Sequence, residues 1–427
     1  MRKHRSVAAL VGAICSIATV AGPTGIAGAA SQPQSLTFWV STSSAQLQGW
    51  TAIAADYAKL TGTKINIVNI PYSGYTTKLR DAALAGSLPD VADVPSLDPV
   101  WVSKLIDLSS IAGNKSYHIY QSALVRDSAG HVLTIPSDIT AAGMFINKSL
   151  FEKAHVSFPT NPAHTWTWTQ FLAAADKVRK ATGAKYDLVF DPSPARLRAF
   201  VYEFGGNYMH EGANGKFATT AGTYKALQLF KQMSNNVTMP NSVWLSGADP
   251  NALFKSGQVV AYWSGVWQTS DFAESITNFQ WASVPTPAQP VQASDIEAGG
   301  LMVGFNNSST EAPAAKKFLT WVYKPSSYAK LSSINGFLPV EGSLPIHYPF
   351  KSAAAQASFK LYKEEIALAA PISYYFGTAQ QAWGLKGKSI TTDPTVDQMD
   401  LYIQGKQSVQ ATVSNIIKGY DQQVGGA

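Results

Sequence analysis

Between residues 36 and 94 the hydrophobic period switches back and forth, and few folds accept that pattern. Residues 36–40 (Leu-Thr-Phe-Trp-Val) form a compact β-branched and aromatic run, which predicts a strand. Over 45–60 the apolar residues Leu47, Trp50, Ile53, Ala54, Tyr57 and Leu60 fall on one helical face, and Thr61-Gly62 supplies an ordinary stop. Alternation returns at 64–70 through Ile65, Ile67, Val68 and Ile70. A second helix over 75–85 stops at Gly86, and 90–94 reads as a third strand. Strands alternating with helices mean βαβ units and a mainly parallel sheet, so the fold class is α/β. Such sheets place ligand sites at loops beyond the carboxyl ends of their strands, here 41–44 and 95–98.

The pattern continues downstream. Strands are expected at 132–136, 143–146 and 259–262, and helices at 150–154, 165–180, 221–233 and 312–323. The segment 395–424 reads as two helices parted by Gly405-Lys406, and the Pro-rich stretch 285–290 as a surface loop. A chain of 427 residues has room for two or three domains of roughly 100–200 residues each.

The first thirty residues read differently. A basic start (Arg2, Lys3, Arg5), an apolar run over 7–20 and small residues over 25–30 make the three-part pattern of a secretory signal peptide. A cut after Ala29 or Ala30 leaves Ala27 or Gly28 at the −3 position, both small. The apolar run, about 14 residues, is short of the roughly 20 that span a bilayer. Lipoprotein processing at Cys15 would need a small residue where bulky Ile14 stands. Cys15 is the single cysteine, so disulfide scaffolds and multi-cysteine metal sites are excluded. The formal net charge of +6 falls to +3 once the three basic leader residues are removed. So small a balance gives no reason to propose nucleic acid or an anionic membrane as partner.

Enzyme chemistry leaves no local signature. There is no G-x-S-x-G elbow, P-loop or G-x-G-x-x-G, and the seven histidines include no H-E-x-x-H and no pair at i,i+4. A metal or other cofactor is not expected. Paired carboxylates for glycoside cleavage stay open, because such pairs meet only in the fold. Aromatic residues beside turns stand out instead: Tyr72, Tyr75, Trp263, Trp267, Trp281, Tyr374 and Tyr375. A flat ring beside hydroxyl and amide groups suits a sugar, whose C–H face packs on the ring while its hydroxyls find polar partners. Most aromatic rings nevertheless belong to cores. Trp267 differs by its setting, Trp263-Ser-Gly-Val-Trp267, just after a predicted strand.

Taken in order, these segments resemble the extracellular solute-binding proteins of family 1, the sugar receptors of ABC importers. Residues 36–41 are similar to the family's opening strand. Leu79, Ala82, Ala83, Gly86, Leu88, Pro89 and Asp90 follow its T-K-L…A-G-x-x-P-D-V segment. Met144-Phe-Ile-Asn-Lys-Ser-Leu-Phe151 resembles L-Y-Y-N-K-x-L-F, and Thr165-Trp-Thr-Trp-Thr-Gln-Phe171 resembles the T-W-x-E-F helix start. Phe254-Lys-Ser-Gly-Gln-Val-Val-Ala261 with Gly265-Val-Trp267 follows F-x-x-G-x-x-A-M…G-x-W. Gly299-Gly300, Asn335-Gly-Phe-Leu-Pro-Val340 and Gly405-Lys406 complete the order over nearly the whole mature chain.

The resemblance implies a two-lobed periplasmic-binding-protein fold (type II), its lobes joined by three crossings with a ligand cleft between them. Crossings are expected near 137–142, 297–302 and 335–340. Residues 35–138 with 303–335 then form the first lobe, and 142–297 with 340–427 the second, after a leader over 1–30. Carried over by position, the site uses Ser41, Ser43 and Ser44, then Tyr75, Ser96 or Asp98, and Asp138 or Thr140. Ser264 and Trp267 serve from the second lobe, with Gly299, Gly300, Phe337 and Tyr374 or Tyr375. Without a Cβ, Gly299 and Gly300 let backbone N–H groups approach a ligand. The implied function is capture of a carbohydrate by an exported, non-catalytic, monomeric receptor that delivers it to the importer's transmembrane permease. A glycerol-3-phosphate, glycerophosphodiester or polyol receptor is the alternative within the family. That branch carries a tyrosine at the position of Phe337 and grips phosphate with a late arginine. No arginine follows Arg198, and Lys386 and Lys388 are only point charges. A secreted glycan-active enzyme is the alternative from another class.

Overall fold

The computed structural model describes residues 34–42, 44–71, 74–211 and 215–426. The expected leader, Ser43 and Tyr72 lie outside these residues, as does the Ser44 side chain. Among the described residues the strands are β1 (Ser35–Val40), β2 (Lys64–Asn69), β3 (Val91–Val94), β4 (Ile135–Pro136), β5 (Ile139–Asn147) and β6 (Tyr186–Phe190). They continue with β7 (His210–Glu211), β8 (Phe217–Ala218), β9 (Val259–Gly265), β10 (Trp281–Val284), β11 (Ile296–Ala298) and β12 (Leu301–Gly304).

Two sheets organise the chain, each the centre of one lobe. The first runs β2-β1-β3-β12-β4 and the second β10-β5-β9-β6, with β11 paired to β5. β1 takes its place because Leu36, Phe38 and Val40 alternate onto one buried face. Helix Ser44–Thr61 lays Trp50, Ile53 and Tyr57 over that face, with Trp50 edge-on to Phe38 at 5.1 Å. The second lobe is built on rings: Trp168 meets Phe200 at 4.7 Å and Trp263 at 5.4 Å, and Phe190 meets Phe230 at 5.0 Å.

The sheets are mixed, which corrects the mainly parallel arrangement expected from βαβ alternation. β1 is parallel to β2 and β3, and β6 to β9, but β5 and β12 run antiparallel to their neighbours. Both strands enter their sheet from the other lobe, at the end where the βαβ strands leave it, and so must run the opposite way. The expected strand at 132–136 shrinks to β4, because Val132 turns aside to bond Leu108 N at 2.7 Å. β5 is longer than expected and buried along nearly its whole length. Its small residues hide the strand from pattern reading, yet Gly143 is needed where the Tyr362 ring fills the space of a Cβ.

Three passages join the lobes. Ser137 and Asp138 lead from β4 into β5, and Gly299-Gly300 lead from β11 into β12. The third follows helix Pro325–Asn335: Leu338 bridges to Ile139, Glu341 to Ile119, and the chain continues to helix Ala353–Leu368 against β10. Buried tyrosines tie these passages together. The Tyr328 hydroxyl donates to Ser137 O at 2.7 Å and accepts the Val340 N–H at 3.0 Å. The Tyr348 hydroxyl donates to Phe337 O.

Candidate functional site

All three passages meet at one cavity between the lobes, about 170 Å³ in volume. Ser41 and Thr42 reach it directly after β1, with Gln46 one helical turn further on; Thr42 Oγ1 donates to Gln46 Oε1 at 2.7 Å. Asp93 comes from β3, Asp138, Ile139 and Thr140 from the first passage, Gly299 from the second, and Gly336, Phe337 and Leu338 from the third. Val266 and Trp267 close the second-lobe side. The turn after β9 is fixed by the Val266 N–H, which donates to Ala141 O at 3.1 Å. The Trp267 ring lies against Gly265, where a Cβ would collide with it, and the Arg196 guanidinium stacks on it at 4.1 Å.

Two carboxyls dominate the electrostatics. Asp138 is buried and its Oδ1 accepts the Ser137 hydroxyl at 2.9 Å. Burial holds it at a pKa of about 6. Asp93 Oδ1 is sealed from solvent without a hydrogen-bond partner. Burial first, and the Asp138 charge second, push Asp93 up to about 8. These carboxyls also explain Gly299 and Gly300, and the reason differs from the expected one. A Cβ on Gly299 would strike the Asp138 carboxyl, and one on Gly300 the Asp93 carboxyl. The Gly299 N–H is already donated to Asp138 O at 3.1 Å rather than offered to a ligand.

Of the residues expected at the site, the structure brings Ser41, Asp138, Thr140, Trp267, Gly299 and Phe337 to this cavity. Gly300 stands behind Asp93. Tyr75 is fully buried beneath, its hydroxyl donating to Trp39 O at 3.0 Å. Asp98 is ion-paired to Arg80 at 2.6 Å and accepts the Val100 N–H, a structural role that keeps it out of the cavity. Ser96 is half-buried and does not line the cavity. Ser264 is sealed in the second sheet, donating to Asp191 Oδ2 at 2.5 Å. Trp263 and Trp281 are core rings. Tyr374 lines a separate, more apolar cavity of about 280 Å³, and Tyr375 donates to Met209 O at 2.7 Å.

Sequence reasoning missed Asp93, Gln46 and Arg196, while Thr42 falls within the expected 41–44 loop. Asp93 had a signal: it is a carboxylate inside a short, otherwise apolar strand. Arg196 had none, because its place depends on ion pairs distant in sequence. Its neighbour Arg198 is clamped by Asp295 at 3.1 Å and Glu297 at 2.6 Å, which fixes helix Pro194–Glu203 against β11. Among the described residues no three His, Cys, Asp or Glu side chains gather to hold a metal ion.

The profile of the family described as bacterial extracellular solute-binding protein matches residues 41–329. An arabinooligosaccharide-binding protein of Bacillus subtilis (strain 168) is 26% identical over 298 residues, 65% of this chain and 66% of that protein. A binding protein of Brucella abortus (strain 2308) is 26% identical over 218 residues, 49% of this chain and 51% of its own, so the chain spans about half the length of that relative. In fold, the chain is similar to an ABC substrate-binding protein from Listeria monocytogenes solved in complex with cycloalternan. That likeness has a TM-score of 0.72 at 19% identity, covering 91% of this chain and 98% of the other.

Proposed function

The chain belongs to the bacterial extracellular solute-binding proteins, and from that premise we propose that it captures a mono- or oligosaccharide between its lobes for an ABC importer. The observation that carries this reading is the cavity where all three passages meet. Hydroxyl, amide and carboxyl groups there stand beside the Trp267 and Phe337 rings, the mixture a pyranose requires. A ligand contacting both lobes stabilises the closed arrangement, and the importer's permease reads that closed shape. The named partners of similar proteins, arabinooligosaccharide and cycloalternan, are carbohydrates. No late arginine offers a bidentate grip on phosphate, so sugar is preferred over a phosphodiester. Export follows from the family and from the leader read over residues 1–30. Among the described residues no helix is long and apolar enough to cross a membrane.

A thermal-shift screen against mono- and oligosaccharides, neutral and amine-bearing, tests the reading, since a ligand of the folded state raises Tm by mass action. Small-angle scattering should then show a smaller radius of gyration with the hit. A panel without any shift, or an unchanged radius at saturation, overturns capture by closure. Asp93 and Asp138 both line the cavity, and glycoside hydrolysis also uses two carboxyls. Incubation with the same oligosaccharides should release no new reducing ends.

A further inference from the structure

The cleft holds a charge imbalance that a neutral sugar leaves unanswered. Asp93 and Asp138 both line the cavity, and none of its lining residues is Lys, Arg or His. The Ser137 hydroxyl serves Asp138 and also acts on the Asp93 carboxyl, but Asp93 Oδ1 itself has no hydrogen-bond partner and is shut off from water. Three cations stand nearby, and none of them lines the cavity. Arg80 pairs with Asp98, Lys78 lies over the Trp39 ring at 5.1 Å, and Arg196 stacks on Trp267 among Asp191, Asp295 and Glu297. The buried Tyr75 hydroxyl is spent on Trp39 O. Two carboxyls sharing a water-poor cavity resist joint ionisation until a cation arrives. Phe337 lends a ring to the same space, and ring faces attract cations; one face of Trp267 already carries the Arg196 guanidinium.

A sugar hydroxyl can donate to these carboxyls but brings no charge; an ammonium does both. We propose that the cleft selects carbohydrates bearing a basic nitrogen, an amino sugar whose ammonium lies between Asp93 and Asp138 beside the aromatic rings. This rests on the carbohydrate reading above and names the class of sugar within it. With Asp93 held at a pKa of about 8 by burial and the Asp138 charge, its proton passes to buffer when the ammonium binds at neutral pH. A neutral sugar causes no such release.

Calorimetric titration at neutral pH in two buffers of different ionisation enthalpy tests this. Matched probes are glucosamine against glucose, galactosamine against galactose, and deacetylated chitotriose against cellotriose. In at least one pair the amine should bind about tenfold tighter or better, with proton release. Asp93→Asn and Asp138→Asn, each checked for a cooperative melt, should bring the amine-to-hydroxyl affinity ratio close to one. Equal affinity within every pair, or a preference that survives both substitutions, overturns the inference and leaves the carbohydrate reading standing. If no carbohydrate in the neutral panel or the amine set binds, the carbohydrate reading fails and this inference fails with it.

Discussion

One hydroxyl oxygen joins two of the three passages between the lobes. Tyr328 is fully buried on helix Pro325–Asn335, and its hydroxyl joins the first passage, at Ser137 O, to the third, at Val340 N. Tyr328→Phe keeps the ring and its stacking on Tyr323, with centroids 5.5 Å apart. It leaves one buried carbonyl and one buried N–H without partners. Each such group costs about 1–3 kcal/mol, and partial rescue by water puts the pair at about 2–4 kcal/mol. Tyr323→Phe is the natural comparison. Its hydroxyl proton is shared between Ile135 O at 2.9 Å and Pro136 O at 2.8 Å, so only a donor is lost. Carbonyls tolerate that loss better than N–H groups do, and about 1 kcal/mol is expected. Urea unfolding of both variants beside the wild type, compared at equal slope, measures the difference. A Tyr328→Phe loss below about 0.5 kcal/mol, or one smaller than that of Tyr323→Phe, would refute the account of how the passages are held.

Glu341 at the third passage has an unpartnered buried Oε1, and burial raises its pKa to about 8. The native state therefore keeps a proton that the unfolded chain releases above its lower pKa, so stability falls as pH rises through the window between them. Glu341→Gln should lose less Tm than wild type between about pH 5 and about pH 8.5; parallel losses would show that Glu341 is not the titrating group. Gly300→Ala should drive a methyl into the Asp93 carboxyl, costing about 1–3 kcal/mol and weakening sugar binding, so a wild-type melt would contradict the packing described. Trp267→Ala should weaken sugar binding by roughly 30- to 1000-fold with little change in Tm. Trp166→Ala should do the reverse, because that ring stacks on Phe151 at 6.1 Å in the second lobe. If Trp267→Ala binds as wild type does, the site is misplaced. Intact-mass measurement of the exported protein should place the mature N-terminus within one residue of Ala30 or Ser31; a diacylated Cys15 would overturn that processing.

Period switching exposed the first lobe because its strands and helices are local objects. The 75–85 helix reads to the residue, since Gly86 can take the left-handed C-cap (φ 66°) that ends it. Direction was not legible. Whether a strand runs parallel depends on which lobe the chain arrives from, and β5 and β12 arrive through passages whose residues carry no periodic signal. The helix expected from 165 begins instead at Trp168. The Thr167–Gln170 capping box places its start, leaving Trp166 outside to stack on Phe151.

The site divides along the same line. Trp267, Phe337, Asp138 and Thr140 were reachable because motif order places them at strand ends and passages. Asp98 and Ser264 occupy equally suggestive positions and are consumed by Arg80 and Asp191, partners that only the fold supplies. The Gly299-Gly300 pair shows the limit most sharply. A glycine announces that something needs the space of a Cβ, but not what that something is. Backbone approach to a ligand and clearance for a carboxyl leave the same letter in the sequence. Here two carboxyls claim the space, from strand β3 and from the first passage. That choice packs the turn directly against the Asp93 and Asp138 carboxyls, so a side chain at either glycine would have to displace them.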